Sequence, residues 1–382
     1  MQSTKVGKPD MNIESLSAAM DPSRFRFAFT SIRDQSSCDL YLKDHAAYLE
    51  LAMDPCWHPM EYWLACDGEQ PIGRVGARIS SVDPTRGYIG LLACDVEAPR
   101  SERLAKYVAL LETALRWLGA QGVTAVFAPV DCNTWLRYRV ISGVAPQDGA
   151  DGIEAPFGWE PPFDPDLEAA LKATGFGAPE TIFGDKSMQG RYHTRVFRSV
   201  FRQAMRVLEP HHKRALRDGY TFRSFGADGR SFDDELALLH GIAIPSFSRQ
   251  FLFEPIDLGL FKRIYRSGAG QLDLSPSAFI LPPEDGSGAV IPVGFLFGFV
   301  DRGYVVVKTV AVQPDLVSRT KGRKWSAASA LLYHALQYGD EQNLRGGIAA
   351  LVHDDGSANT IEKWLAWASD WTRHYELFAR AI

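Results

Sequence analysis

Two stretches of this chain carry the same marks in the same order, about 220 residues apart. Pro71-Ile72-Gly73-Arg74-Val75 returns as Pro292-Val293-Gly294-Phe295-Leu296, and Gly87-Tyr88 returns as Gly303-Tyr304. Val96 closes one apolar run and Val312 the other. An apolar stripe at helical spacing follows in each stretch. It comprises Leu110, Leu111, Ala114, Leu115 and Leu118 in the first, and Leu331, Leu332, Ala335 and Leu336 in the second. Gly119 and Gly339 come near the helix ends, and a short apolar strand then leads to Asn133 or Asn359. The offset stays between 216 and 226 residues over six landmarks, which is the behaviour of a duplication rather than of two unrelated stretches.

Each copy reads as strand, hairpin, strand, loop, helix, strand, helix and a final strand. The second hairpin turns at Asp301-Arg302-Gly303, and the strands flanking each long helix are expected to run parallel through a right-handed crossover. The expected fold class is α/β (an α+β mixed sheet) in two tandem copies. The boundaries are a tail over 1–22, an N-terminal domain over 23–185, a basic helical connector over 186–219 and a C-terminal domain over 220–382. A length of 382 residues agrees with two domains at roughly 100–200 residues each.

Composition narrows the function classes. The formal charge of −5 argues against a chain that is basic throughout and binds nucleic acid with its whole surface. The five cysteines, Cys38, Cys56, Cys66, Cys94 and Cys132, are odd in number with no Cys-x-x-Cys pair, which suits a reducing cytoplasm. The most apolar segment, Ala289–Val300, is too short to span a bilayer and is broken by Pro292, so no integral membrane association is expected. No metal-ligand spacing, Walker loop or Gly-x-Ser-x-Gly elbow occurs.

The order of elements, with a basic loop between a valine-ended strand and a helix and an asparagine beyond the next strand, resembles the acetyl-coenzyme A-dependent N-acyltransferase superfamily, the GNAT fold. In that family an Arg/Gln-x-x-Gly-x-Gly/Ala loop cradles the pyrophosphate of coenzyme A with backbone amides, as free amides at a helix N-terminus can. Arg319-Thr320-Lys321-Gly322-Arg323-Lys324 matches at Arg319 and Gly322 and departs at Lys324. The first copy has Arg100 but Arg103 in place of glycine, with Glu97 and Glu102 beside it, and reads as degenerate. Ile72-Gly73-Arg74-Val75, Ala128-Pro129-Val130 with Asn133, the Pro156–Pro165 stretch and His374–Phe378 resemble tandem GNAT acyltransferases that include bacterial ceramide-forming enzymes.

The resemblance implies amide formation between an activated acyl donor, acyl-CoA, and a small-molecule amine, with acyl-CoA as co-substrate and no tightly bound cofactor. It places donor contacts at Val312, Arg319, Lys321, Gly322, Arg323, Lys324 and Asn359. Base candidates are His353 and Asp354 at the end of the fifth strand of the second copy, and Glu97 in the first; Tyr375 is the candidate acid. In the connector, Arg191, Arg195, Arg198, Arg202 and Arg206 recur at steps of three and four, which puts them on one side of a helix. That stripe is readable as a solvated face or as a track for phosphates. Because tandem GNAT-fold proteins include aminoacyl-tRNA-dependent transferases, tRNA stands as an alternative donor and partner. A non-catalytic binding protein of the same fold is a third reading. Trp57, His58, Tyr62 and Trp63, and Phe157, Trp159 and Phe163 in the Pro-rich stretch, suit either core packing or an aromatic pocket.

Overall fold

The computed structural model describes residues 11–15, 22–32, 45–95, 97–142, 157–161, 163–198, 201–269, 272–284, 290–322, 325–354 and 369–382. In chain order the first half comprises β1 (Met11–Ser15), α1 (Pro22–Ser31), α2 (His45–Ala52), β2 (Met60–Asp67), β3 (Gln70–Ile79), β4 (Arg86–Cys94), α3 (Arg100–Ala120), β5 (Ala125–Ala128), β6 (Val140–Ser142), α4 (Pro165–Ala173) and α5 (Pro179–Ile182). The second comprises β7 (Arg191–Phe197), α6 (Phe201–Arg217), β8 (Thr221–Ser224), α7 (Phe232–Phe247), α8 (Leu258–Ala269), β9 (Ala278–Leu281), β10 (Gly294–Asp301), β11 (Tyr304–Val312), α9 (Pro314–Gly322), α10 (Ala327–Glu341), β12 (Gly346–His353), β13 (Trp371–Glu376) and β14 (Phe378–Ala381).

These elements form two compact units, and neither is continuous in sequence. Unit 1 takes Met1–Ala145, Pro161–Gly190 and Glu376–Ile382; unit 2 takes Pro146–Glu160 and Arg191–Tyr375. In unit 1 the strand order is β1-β2-β3-β4-β5-β14. In unit 2 it is β13-β7-β12-β11-β10-β9-β8. A parallel pair joins β4 to β5 in one sheet and β11 to β12 in the other, bridged by α3 or α10 as the repeat requires. The strand beside β5 is the C-terminal β14, and the strand beside β12 is β7, which follows the helices of unit 1.

The helix expected over the connector is therefore two elements. Arg191–Phe197 is a strand and only Phe201–Arg217 is helical. The reason is in the residues: Tyr192, Thr194, Val196 and Phe197 are aromatic or β-branched, suit a pleated surface, and gain a ladder with β12. Arginines four apart fit a strand face as well as a helix face, since four is a multiple of both periods to within a fraction of a turn.

The cores follow the apolar stripes. On α3, Tyr107, Leu110, Leu111, Ala114, Leu115 and Leu118 are buried against Trp63, Val75, Ala77, Ile89 and Val126. On α10, Ala327, Ala330, Leu331, Ala335 and Leu336 pack with Ala204, Leu208 and Ala215 of α6 on one face of the second sheet. Each buried leucine contributes roughly 1.5–3 kcal/mol. The other face carries Phe157, Val196, Phe299, Tyr304, Val306, Ile348 and Ala350. The β10–β11 hairpin closes with two residues, Arg302 at φ 48° and Gly303 at φ 83°, a left-handed pair whose twist matches the strands. No helix among the described residues is long and apolar enough to cross a membrane.

Candidate active site

In unit 2 the parallel strands part. β11 and β12 pair over Tyr304–Val307 and Gly346–Ala349 and then leave the ladder at the same level. On β11 the cause is a bulge: Phe297 pairs with Thr309 and Gly298 with Val307, so Lys308 is the extra residue. A bulge bends its strand and increases the local twist. On β12 the register against β7 shifts between Ala349 and Val352, Leu351 sits at φ 56°, and its N–H donates to Thr194 Oγ1 at 2.9 Å. The result is a fork with strand backbone on one side, the arrangement in which an N–H can face a carbonyl that develops negative charge. Val312 ends β11, and its carbonyl accepts a hydrogen bond from Ser246 of α7 at 3.1 Å.

Unit 1 repeats the geometry and fills it. β4 pairs with β5 over Arg86–Tyr88, and Leu91 has φ 54°. Beyond that point Val130 donates its N–H to the Ile89 carbonyl at 2.8 Å, and the Leu91 N–H donates to Asp131 Oδ1 at 2.6 Å. A Cβ on Gly90 would lie 2.1 Å from the Val130 carbonyl oxygen, so the loop seats only against glycine. Asp131 is held in turn by the Tyr48 hydroxyl at 2.8 Å and by Arg137 at 3.3 Å. Burial, and then the Asp131 charge, pushes the Tyr48 phenol well above its usual range, so it stays a donor. Arg100 and Arg103, at the start of α3, both bind Asp166 of α4, at 2.7 and 2.6 Å.

Titratable groups gather where β12 ends. His353 is half-buried and meets the Tyr192 ring edge-on at 4.8 Å. Asp354 donates its N–H to the Arg191 carbonyl, and its Oδ1 lies 2.6 Å from His193 Nδ1. The hydrogen bond from His193, with the charges of His193, His374 and His353, holds the Asp354 carboxyl below the usual carboxylate range. Asp354 thus fixes the ring of His193, which is 2% exposed, while His353 remains accessible. His193 escaped the sequence reading because β7 read as helix; its alternation with Tyr192 and Thr194 was the available signal.

Tyr375 is joined to the fork through Thr194, which also accepts the Leu351 N–H. It is fully buried, its hydroxyl donates to Glu160 Oε1, and Thr194 Oγ1 is 3.1 Å away. Arg373 pairs with the same carboxylate, whose other oxygen accepts the Phe157 N–H at 3.1 Å. Burial, followed by the Glu160 charge, drives the Tyr375 phenol well above its ordinary value. A buried phenol of this kind is a poor proton donor to a departing thiolate. Beside this network Lys308 carries its ammonium over Trp159 at 5.2 Å and Tyr265 at 5.6 Å, and Phe297 and Phe299 pack on Trp159.

The donor loop differs from expectation. Pro314–Gly322 is a helix, so Arg319, Lys321 and Gly322 belong to its last turns and their amides bond along it rather than facing outward. Pro314 at the first helical position and Asp315 in the first turn favour that start. Arg319 is exposed on α9, and Arg323, Lys324 and Asn359 lie outside the described residues. Glu97 is exposed beyond β4, with its N–H bonded to the Asp95 carboxylate at 3.1 Å. Arg191 and Arg195 sit on β7, Arg198 follows it, and Arg202 and Arg206 share a face of α6; the five form no single helical stripe. Among the described residues no group of three His, Cys, Asp or Glu side chains could hold a metal.

Neither a family model nor a curated protein sequence matches the chain. Its structure is similar to a tandem GNAT protein from the clavulanic acid biosynthesis pathway, at 12% identity and a TM-score of 0.52, covering 97% of this chain and 98% of that one. It is similar to a GCN5-related N-acetyltransferase from Kribbella flavida, at 9% identity and a TM-score of 0.51, covering 97% of this chain and 72% of that one. The GCN5-related glucosamine N-acetyltransferase region of a fungal multi-domain GH3 β-N-acetylglucosaminidase gives 12% identity and a TM-score of 0.51 over 98% of this chain, which spans 38% of that protein. Across nearly its whole length, this chain has the tandem GNAT fold.

Proposed function

We propose that this protein is an N-acyltransferase and that unit 2 performs the reaction. The observation that carries the reading is the contrast between the forks: among the described residues no ladder joins β11 to β12 past Val307, whereas Val130 and Asp131 fill the fork of unit 1. An acyl thioester seated between β11 and β12 presents its carbonyl to strand amides near Thr309–Val312, which polarise it. The amine attacks the carbonyl carbon, the carbon–sulfur bond breaks, and coenzyme A leaves as thiolate. His353 takes the proton released by nitrogen, directly or through one water. The bond between Asp354 and His193 ties that end of β12 to β7.

The helical course of Arg319–Gly322 favours a second reading, in which the acyl group arrives on tRNA and no amide cradle for a pyrophosphate is needed. One assay separates the two. Purified protein is given acyl-CoA of several chain lengths with a panel of amines, and thiol release is followed by Ellman's reagent. Amine-dependent release supports the thioester reading. Amide formation only with aminoacyl-tRNA, abolished by ribonuclease, supports the second. Amide formation with neither donor refutes the enzymatic reading.

A further inference from the structure

We infer that unit 2 carries a separate ligand site, an arginine-lined pocket that takes phosphate groups at the end of the sheet away from the fork. The pocket has a volume of about 400 Å³ and is lined by Arg198, Arg202, Arg206 and Arg345, with Asp340 and the amides of Gln203 and Asn343 among the remaining lining groups. Small-ligand pockets occupy about 300–1,000 Å³. The fold brings the arginines together from separate elements. β7 ends at Phe197 opposite Gly347, so Arg198 and Arg345 flank the same edge of the sheet. Arg202 and Arg206 are four apart on α6 and face one way. Arg345 is fixed by its N–H, which donates to the Gly303 carbonyl at 2.7 Å.

The charges do not cancel. Asp340 takes one arginine, through Arg202 Nε at 2.9 Å. Among the described residues the guanidinium groups of Arg206 and Arg345 have no ion-pair partner. The guanidinium groups of Arg206 and Arg345 thus bring positive charge to this concavity, and an anion with several oxygens offsets it through forked, charge-assisted hydrogen bonds. A single carboxylate has too few oxygens to engage them, whereas phosphate groups supply three or more each. The position separates this pocket from the donor slot. Tyr304 and Gly346 stand at its end of the sheet; the strands part beyond Val307 and Ala349, about 10 Å along, and Val312 ends β11 about 26 Å away. The phosphate source is either a free nucleoside polyphosphate or an RNA strand, and the site does not depend on which acyl donor the fork accepts.

The test measures binding, so it is independent of acyl transfer. Inorganic pyrophosphate is titrated by calorimetry and fluorescently labelled tRNA by anisotropy. Both are run against the wild type, the double variant Arg206→Glu/Arg345→Glu, and Arg116→Glu as a control on the exposed surface of α3 in unit 1. Circular dichroism and Tm establish folding, and Arg206→Gln/Arg345→Gln replaces the charge reversals if these misfold. Binding should weaken about tenfold or more in the double variant and hold in the control. Loss confined to pyrophosphate identifies a small polyphosphate, and loss confined to tRNA, with affinity falling as salt rises, identifies RNA. Absence of binding by the wild type at millimolar pyrophosphate and micromolar tRNA, or unchanged binding in a folded double variant, overturns the inference.

Discussion

The carboxylate of Asp131 lies 2.6 Å from the backbone nitrogen of Leu91 and accepts its N–H across the fork of unit 1. The same carboxylate accepts the Tyr48 hydroxyl and faces Arg137. One side chain therefore closes the fork of unit 1 and pairs with a half-buried arginine. Unit 1 keeps the sheet, the bulge and the crossover helix of the GNAT fold, with Arg100 and Arg103 at the start of α3 tied to Asp166.

Removing that carboxylate leaves a phenol and an amide without their acceptor and takes an ion pair from Arg137. Asp131→Ala should destabilise unit 1 by about 3–5 kcal/mol, the cost of breaking a buried pair by deleting one partner. Urea titration followed by circular dichroism reads it. A loss below 1 kcal/mol would mean that Asp131 is a surface group in solution and that the first fork is not closed by it.

At the other fork the proton acceptor is testable directly. His353→Gln keeps size and hydrogen bonding but cannot hold a proton, and should lower kcat by about a hundredfold or more with a small change in KM. An unchanged kcat across pH 6–9 would assign the base to another residue.

Asp354 gives a pH signature of its own. Its carboxyl is held below the usual range by the His193 hydrogen bond and by the charges of His193, His374 and His353. A carboxyl depressed on folding stabilises above its unfolded value, near 3.9, and loses that contribution as pH falls through the folded value. Wild-type stability should therefore drop below about pH 4 more steeply than that of Asp354→Asn. The variant should be less stable than wild type at pH 7. Parallel acid slopes in the two proteins would show that the pairing with His193 does not persist in solution.

Tyr375 provides the contrast between a structural and a chemical role. Tyr375→Phe removes the donor to Glu160 and should cost about 1–3 kcal/mol of stability. Because the hydroxyl is buried in its own network, kcat should change less than threefold. A hundredfold fall in kcat with unaltered stability would restore the tyrosine as acid.

Much of the fold was legible because its marks are local. Pro-x-Gly and Gly-Tyr pairs, apolar runs and the stripes of α3 and α10 each fix one element, and their repetition fixes the order. What could not be read was partnership at a distance. Nothing in Arg191–Phe197 states that its ladder partner is β12, and arginines four residues apart satisfied a helix as readily as a strand. The hidden strand also hid His193, whose role exists only through Asp354, 161 residues away in sequence. Asp131 is similar: its neighbours Pro129, Val130 and Asn133 carried the family marks, while its bond to Leu91 spans 40 residues and appears only in three dimensions. The helix α9 was different, since Pro314 and Asp315 form a start signal that the resemblance to a phosphate loop obscured.

The strand arrangement predicts how the chain responds to cutting. β14 pairs with β5 through Phe378–Ala381, and Gly177 forms a further bridge to Ala379. Leu377 also bonds back to the Gly190 carbonyl at 2.9 Å. A fragment of residues 1–190 lacks this strand and exposes the edge of β5, whose Val126, Phe127 and Ala128 are buried in the whole protein. An unpaired apolar edge promotes association. The fragment should melt at a lower temperature than unit 1 does within the full chain, and should self-associate in sedimentation experiments. A synthetic peptide of residues 374–382 supplied in excess should bind it and raise its Tm, because a ligand that binds only the folded state stabilises it by mass action. Tyr375→Phe within that peptide should bind equally well, since Tyr375 belongs to unit 2, whereas replacing Ala379 by proline removes the N–H that donates to the Gly177 carbonyl and should weaken the rescue. A monomeric fragment with full stability in the absence of peptide would show that β14 is an accessory to the first sheet rather than one of its structural strands.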